Sequence, residues 1–373
     1  MAAARRIALA SIPLLALLLM GSSRTGAAPQ GQVAPTGSMH DRRADHSATL
    51  LKDGRVLIAG GMVENGVFLS SAELFDPATG RFAGTGDMLS RRVGHSATLL
   101  PNGKVLIAGG LAGRIREGGP GIVASTEIYD PQTGRFTPGP NMSGPRTGHA
   151  AVVLADHKVL IAGGADHDER TLASAEIYDP ASNRFTATAS MHTPRLAREA
   201  VLLKDGRVLV TGGGNLRQAE IFDPKSAAWQ PAGEMTAPRM KHAAALLPDG
   251  RVLVVGGSPD GGWNPVRSVE VFDPQNGRFT PAGEMEFARF KLPDAVTRLK
   301  DGNVLVAGGA DQVELYQAAS GRFVRAGSVE GRHYFASATL LPDGRVLIAG
   351  GYGPGGGRPN GPLSTQQAWI YRP

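Results

Sequence analysis

From residue 31 to the C-terminus the hydrophobic positions fall into short runs of strand-forming residues, bounded by Gly, Pro, Asp and Asn. The runs follow a fixed order. A segment such as HSATLL (46–51) leads through a tight turn into RVLIAGG (55–61). A variable loop follows, then SAELFDP (71–77), a second turn and RFAGTGDM (81–88). The first turn is built on Asp53-Gly54, with Asn102-Gly103, Asp205-Gly206, Asp249-Gly250, Asp301-Gly302 and Asp343-Gly344 as its counterparts. These residues accept positive φ at little cost and suit two-residue hairpins. Asp156-His157 is the copy that lacks the glycine. In the second turn, DPATG (76–80), Pro77 supplies a preset φ and Gly80 a left-handed residue; Asn183 stands for that glycine in DPASN. Each unit therefore predicts four short antiparallel strands.

The unit recurs seven times. Glycine pairs stand at 60–61, 109–110, 163–164, 212–213, 256–257, 308–309 and 350–351, spaced by 49, 54, 49, 44, 52 and 42 residues. Seven four-stranded meanders of this size predict an all-β fold, a seven-bladed β-propeller, rather than a sandwich. The last copy runs ASATLL, RVLIAGG, QQAWIY and stops at Pro373 without a fourth strand. GQVAPTGSM (31–39) matches GRFTPAGEM (277–285) in spacing, so the N-terminal segment is expected to complete the last blade and cover its open edge.

The glycine pair, a Glu-x-Tyr-Asp-Pro-like strand, an aromatic in GRF or AAW, and Met-x-x-x-Arg-x-x-His together resemble the kelch-repeat β-propellers. The resemblance spans essentially residues 31–373. It extends to the central domain of galactose oxidase, whose copper-radical site requires a cysteine crosslinked to tyrosine. This chain has no cysteine, so that chemistry does not carry over. Bacterial periplasmic sialic-acid mutarotases are similar in architecture but have six blades, and no motif of theirs transfers residue by residue.

Ahead of the repeats, Arg5 and Arg6 precede an apolar run from Ile7 to Met20 and then small residues. That order describes a secretory signal better than a membrane span, with cleavage expected after Ala27. The division is then a signal peptide over 1–27 and a propeller over 28–373, in the periplasm or secreted. Removing the leader takes three arginines and lowers the formal charge from +6 to +3. Such a mildly basic chain lacks the charge expected of a dedicated nucleic-acid binder, and no later run is apolar enough to span a membrane. Without cysteine no disulfide framework exists, so the apolar core must stabilise the fold. A monomer without cofactor or metal is expected.

What recurs in every copy is architectural. Arg43, Arg92, Arg146, Arg195 and Arg239 hold one slot, followed by His46, His95, His149 and His242, with Arg198 in the fourth copy. Glu73, Glu127, Glu176, Glu220, Glu270 and Glu314 of the third strands are the expected partners of the arginines. A basic ring attracting anions is the alternative. The clusters in HDRRADH (40–46) and ADHDER (165–170) lack metal-site spacing, and the glycine-rich 350–362 lacks a phosphate-loop ending.

Function is sought where the pattern breaks, on the face carrying the loop after each glycine pair and the Met-x-x-x-Arg connection. MEFARFKLPDA (285–295) brings Phe287, Phe290, Lys291 and Asp294; SVEGRHYFASA (328–338) brings Arg332, His333, Tyr334 and Phe335. Trp263 is the loop tryptophan, and Tyr334 and Tyr352 are the tyrosines outside the repeated third-strand slot. Trp263, Phe290, Lys291, Arg332, Tyr334 and Tyr352 are therefore the ligand-binding candidates, with aromatic faces beside charges suited to a carbohydrate or a peptide. The expected function is a non-catalytic binding module for a carbohydrate, peptide or protein. The alternative is a carbohydrate-active, mutarotase- or epimerase-like enzyme with Asp294 and His333 as its acid/base pair.

Overall fold

A computed structural model describes residues 31–64, 67–113, 121–168, 170–260, 264–353 and 363–373. The expected leader and Trp263 lie outside them. Within them stand seven four-stranded antiparallel sheets. Blade 1 comprises Ser47–Leu50, Val56–Ala59, Ala72–Asp76 and Arg81–Gly84, in that order from the inside outward. Blades 2 to 6 repeat it. Each innermost strand packs beside the next, from Ser47–Leu50 and Ser96–Leu99 round to Ser337–Leu340, which returns to Ser47–Leu50. The outer strand of blade 7 is Gln32–Pro35, paired with Ala368–Arg372 in the register Val33 to Tyr371. The first and last described strands thus meet in one sheet.

The core lies between blades. The second strands, read as VLIA or VLVV, are buried at every position because both faces pack on neighbouring sheets. Leu253 and Val255 of blade 5 cluster with Val304 and Val306 of blade 6, and Leu347 and Ala349 of blade 7 with Val56 and Ile58 of blade 1. Cross-strand aromatic pairs join third to fourth strands at 4.7–5.2 Å in blades 1 to 6, from Phe75–Phe82 and Tyr129–Phe136 to Tyr316–Phe323. The turn chemistry is as expected: Gly54 has φ +88°, Asn183 +54°, and His157 takes +68° where glycine is missing.

The glycine pairs have a steric cause. Gly60 and Gly61 both have positive φ, and a Cβ on either would lie 2.7 Å from a carbonyl of the Met-x-x-x-Arg connections, Arg92 O or Ala44 O. Those connections close over the pair, with the Gly61 N–H donating to Arg92 O at 2.8 Å. Short pairings of Ala44 with Met62, Thr147 with Ala165, Met240 with Ser258 and Tyr334 with Tyr352 fix the loop face.

Candidate functional site

The repeated charges turn out to be internal to the blades. Arg43, Arg92, Arg146, Arg195, Arg239 and Arg289 are essentially inaccessible, and each meets its third-strand glutamate at 2.7–3.0 Å. Each guanidinium also donates to the carbonyl of the first glycine of a pair, as Arg239 does to Gly256 at 2.7 Å. Arg289 corrects the sequence reading of the sixth copy. The slot is not lost there, because Met285 and Arg289 keep the Met-x-x-x-Arg spacing. In blade 7 both partners change: His333 takes the arginine slot and packs on Trp369, which stands in the glutamate slot, at 4.6 Å.

The repeated histidines link adjacent blades. His46 Nε2 meets Ser337 Oγ at 3.0 Å, His95 meets Ser47 at 3.0 Å and His149 meets Ser96 at 2.9 Å. His242 meets Thr211 at 2.8 Å. Burial, reinforced by the nearby arginines, lowers all four to about 3, so the rings stay neutral.

Charge reaches the channel where this device is missing. In blade 4, Ala197 sits beside Gly163 where other blades place a histidine, and Arg198-Glu199 replaces His-Ser. In blade 6, Leu292 fills the same place beside Gly256, and Pro293-Asp294 is inserted before the inner strand. Arg198 donates to Asp45 at 2.7 Å and lies 3.9 Å from Asp294. Burial opposes its charge, but Asp45 and Asp294 outweigh that and raise its pKa, so it remains a cation. Asp294 is raised by its enclosure within the ring and by Asp45, against Arg198, while 58% of its side-chain surface stays open to the channel. Glu199 is pushed up to about 8 by burial and then by Asp294, and its Oε1 has no hydrogen-bond partner. Arg198, Glu199 and Pro293 separate two cavities. The outer one, about 230 Å³, opens among Asp45, Lys241 and Phe335; the inner one, about 270 Å³, runs among Ser47, His95, His149 and Asp294.

A second feature rims the mouth. The residue two after the arginine slot has positive φ at Asp45, Gly94, Gly148, Lys241, Lys291 and Phe335. Backbone hydrogen bonds tie these positions across blades: Asp45 N–H to Phe335 O, Phe335 N–H to Lys291 O, and Leu292 N–H to Lys241 O. Lys291 Nζ contacts the Tyr352 hydroxyl and lies 4.9 Å from the ring centres of Phe290 and Tyr352, 5.6 Å from Tyr334 and 5.7 Å from Phe335. Burial and the charge of Lys241 bring it down to about 8, while burial and Asp45 push Tyr352 up to about 12.

Four of the sequence candidates, Phe290, Lys291, Tyr334 and Tyr352, thus form one group. Its rings pack on each other and on the lysine, with Phe290 and Tyr352 buried, rather than lying open as a platform. Arg332 is exposed at the edge. Asp294 and His333 form no contact pair, which corrects the expected acid/base couple. His333 is buried in the arginine slot with Nε2 against Glu330 O at 2.6 Å, whereas Asp294 faces Arg198 in the channel. The sequence reading passed over Asp45, Lys241 and Glu199. The replacement of His-Ser by Arg-Glu in copy four was the available signal.

Residues 91–143, 145–192 and 239–286 match the kelch motif. The propeller carries kelch motifs. A fungal alcohol oxidase of the AA5 family, solved in complex with copper, is similar in structure with a TM-score of 0.71 and 18% identity. The match covers 92% of this chain and 76% of that one. At that identity the likeness concerns the fold. No curated protein matches the sequence. The crosslinked copper-radical site of galactose oxidase does not carry over, because the sequence has no cysteine to form it. Among the described residues no three His, Asp or Glu side chains gather as metal ligands.

Proposed function

We propose that this propeller is an exported binding module that takes a small carbohydrate or the end of a glycan into the mouth of its channel on the loop face. The observation carrying the reading is Arg198, a permanent cation flanked by Asp45 and Asp294 at the boundary of the two cavities. A guanidinium supplies a rigid fan of donors and the carboxylates supply acceptors, which together match adjacent sugar hydroxyls. Phe335, 5.8 Å from the Arg198 guanidinium, gives an apolar face beside them. The twofold departure from the repeat, Arg198-Glu199 in blade 4 and Pro293-Asp294 in blade 6, supports a role in recognition, because the fold is already held by the residues that do repeat. Glycan-array capture by the protein, followed by calorimetry with Arg198→Gln, tests the reading. Binding that survives the substitution unchanged would remove the mouth as its site.

One observation favours a second reading, a proton-transferring enzyme on a sugar. Two carboxyl groups share the channel, and Glu199 holds its proton to about pH 8 beside Asp294. Paired carboxyls in unequal environments are what acid/base work needs. Under this reading Glu199→Gln abolishes interconversion of sugar anomers or epimers while leaving binding intact.

A further inference from the structure

Two lysines stand on the mouth in a backbone conformation that lysine seldom adopts. Lys241 has φ +55° and Lys291 +57°, at the slot where blades 2 and 3 place Gly94 and Gly148. The left-handed region disfavours residues with a Cβ, and such strain persists where the side chain is wanted. The positions adjoin across neighbouring blades, the N–H of Leu292 donating to the carbonyl of Lys241 at 3.2 Å. Neither ammonium has an ion pair among the described residues. The nearby acids are engaged elsewhere: Asp45 bonds Arg198 at 2.7 Å, Asp294 faces the same guanidinium, and Glu199 keeps its proton at neutral pH. Two half-buried like charges are therefore held close, with aromatic rings and a tyrosine hydroxyl around Lys291 in place of a carboxylate.

We propose that Lys241 and Lys291 form an anion subsite that receives the carboxylate or sulfate of an acidic saccharide bound at the mouth. An anion placed between them would relieve their mutual repulsion and use the field of a pair that Asp45, already bonded to Arg198, offsets only in part. This rests on the carbohydrate reading above and narrows it to acidic sugars. Lys291 is ringed by Phe290, Tyr334 and Tyr352. Lys241 borders the 230 Å³ cavity directly.

Calorimetry with uronic-acid and sulfated oligosaccharides beside their neutral parents tests the proposal. The wild-type protein is expected to prefer the acidic members at least tenfold, with a preference that shrinks as salt rises. Lys241→Gly and Lys291→Gly should each lower the affinity for the acidic members severalfold more than the affinity for their neutral parents, so that the preference shrinks. Glycine fits the backbone because blades 2 and 3 already use it there, and Lys291→Gln, which keeps most of the side-chain stem against the rings, is the second variant that separates loss of charge from loss of packing. Equal affinity for acidic and neutral members, or a preference that persists in the double variant, would overturn the subsite while the carbohydrate reading stands. Binding of no saccharide at all would overturn the carbohydrate reading itself. Lysine-dependent binding of an aspartate-rich peptide in place of any saccharide would overturn the ligand class.

Discussion

Arg239→Ala separates the structural from the functional charges most sharply. The guanidinium donates to Gly256 O at 2.7 Å, Ser268 O at 2.9 Å, Ser268 Oγ at 3.0 Å and Glu270 at 2.8 Å, and both members of the ion pair are about 1% exposed. Removing the arginine leaves the Glu270 carboxylate buried with only the Thr236 N–H at 2.9 Å. Breaking a buried pair from one side costs about 3–5 kcal/mol, because the remaining charge loses its counterion without regaining water. Urea unfolding followed by tryptophan fluorescence should show that loss as a lower midpoint at unchanged slope. The double variant Arg239→Met/Glu270→Leu removes both charges and should recover at least about 2 kcal/mol of it, since apolar replacements of buried pairs are often neutral. A single variant within about 1 kcal/mol of the wild type, or a double variant no better than the single, would refute the claim that these pairs are buried structural charges.

Three further outcomes follow from the fold. Gly213→Ala should destabilise by at least about 2 kcal/mol, because its φ is +87° and a Cβ would lie 1.8 Å from Leu196 O; a melting temperature equal to the wild type would contradict the packing described. Deleting the strand Gln32–Pro35 should expose Ala368–Arg372 as an open edge, lower the melting temperature and promote self-association visible by light scattering; a monomer of unchanged stability would contradict the shared sheet. Glu199 titrates near 4.5 unfolded and about 8 folded, so between these values the native state holds a proton that the unfolded chain has lost. Its contribution therefore falls as pH rises through that window and levels off above about 8, and Glu199→Gln should flatten the stability profile there; an unchanged slope would contradict the burial of that carboxyl.

The fold was legible because its constraints repeat. A Gly-Gly pair under a closing connection, an Asp-Gly hairpin and an Arg–Glu pair each left the same residues in most blades, and the arginine–glutamate partnership could be matched by slot alone. The missing fourth strand of the last copy announced the N-terminal strand for the same reason. The site was legible only as departures from the pattern. Lys291, Phe290, Tyr334 and Tyr352 could be picked out that way and do cluster. His333 misled because it departs from the pattern for a packing reason, replacing arginine where Trp369 replaces glutamate in the same blade. Lys241 was hidden because its peculiarity is a backbone angle, and a left-handed lysine looks like any other in sequence. Asp45 was hidden because its partner Arg198 lies 153 residues away, across the ring.

The central claim is that repeated residues hold the ring while the non-repeated charges at its mouth hold a ligand. Glycan capture by the wild-type protein and by Arg198→Gln, with thermal melts of both, tests it most directly. The account predicts that the wild type retains a saccharide which the variant releases, the two melting within a few degrees of each other. A wild type that captures no saccharide, or a variant that captures the same ones equally well, would contradict it.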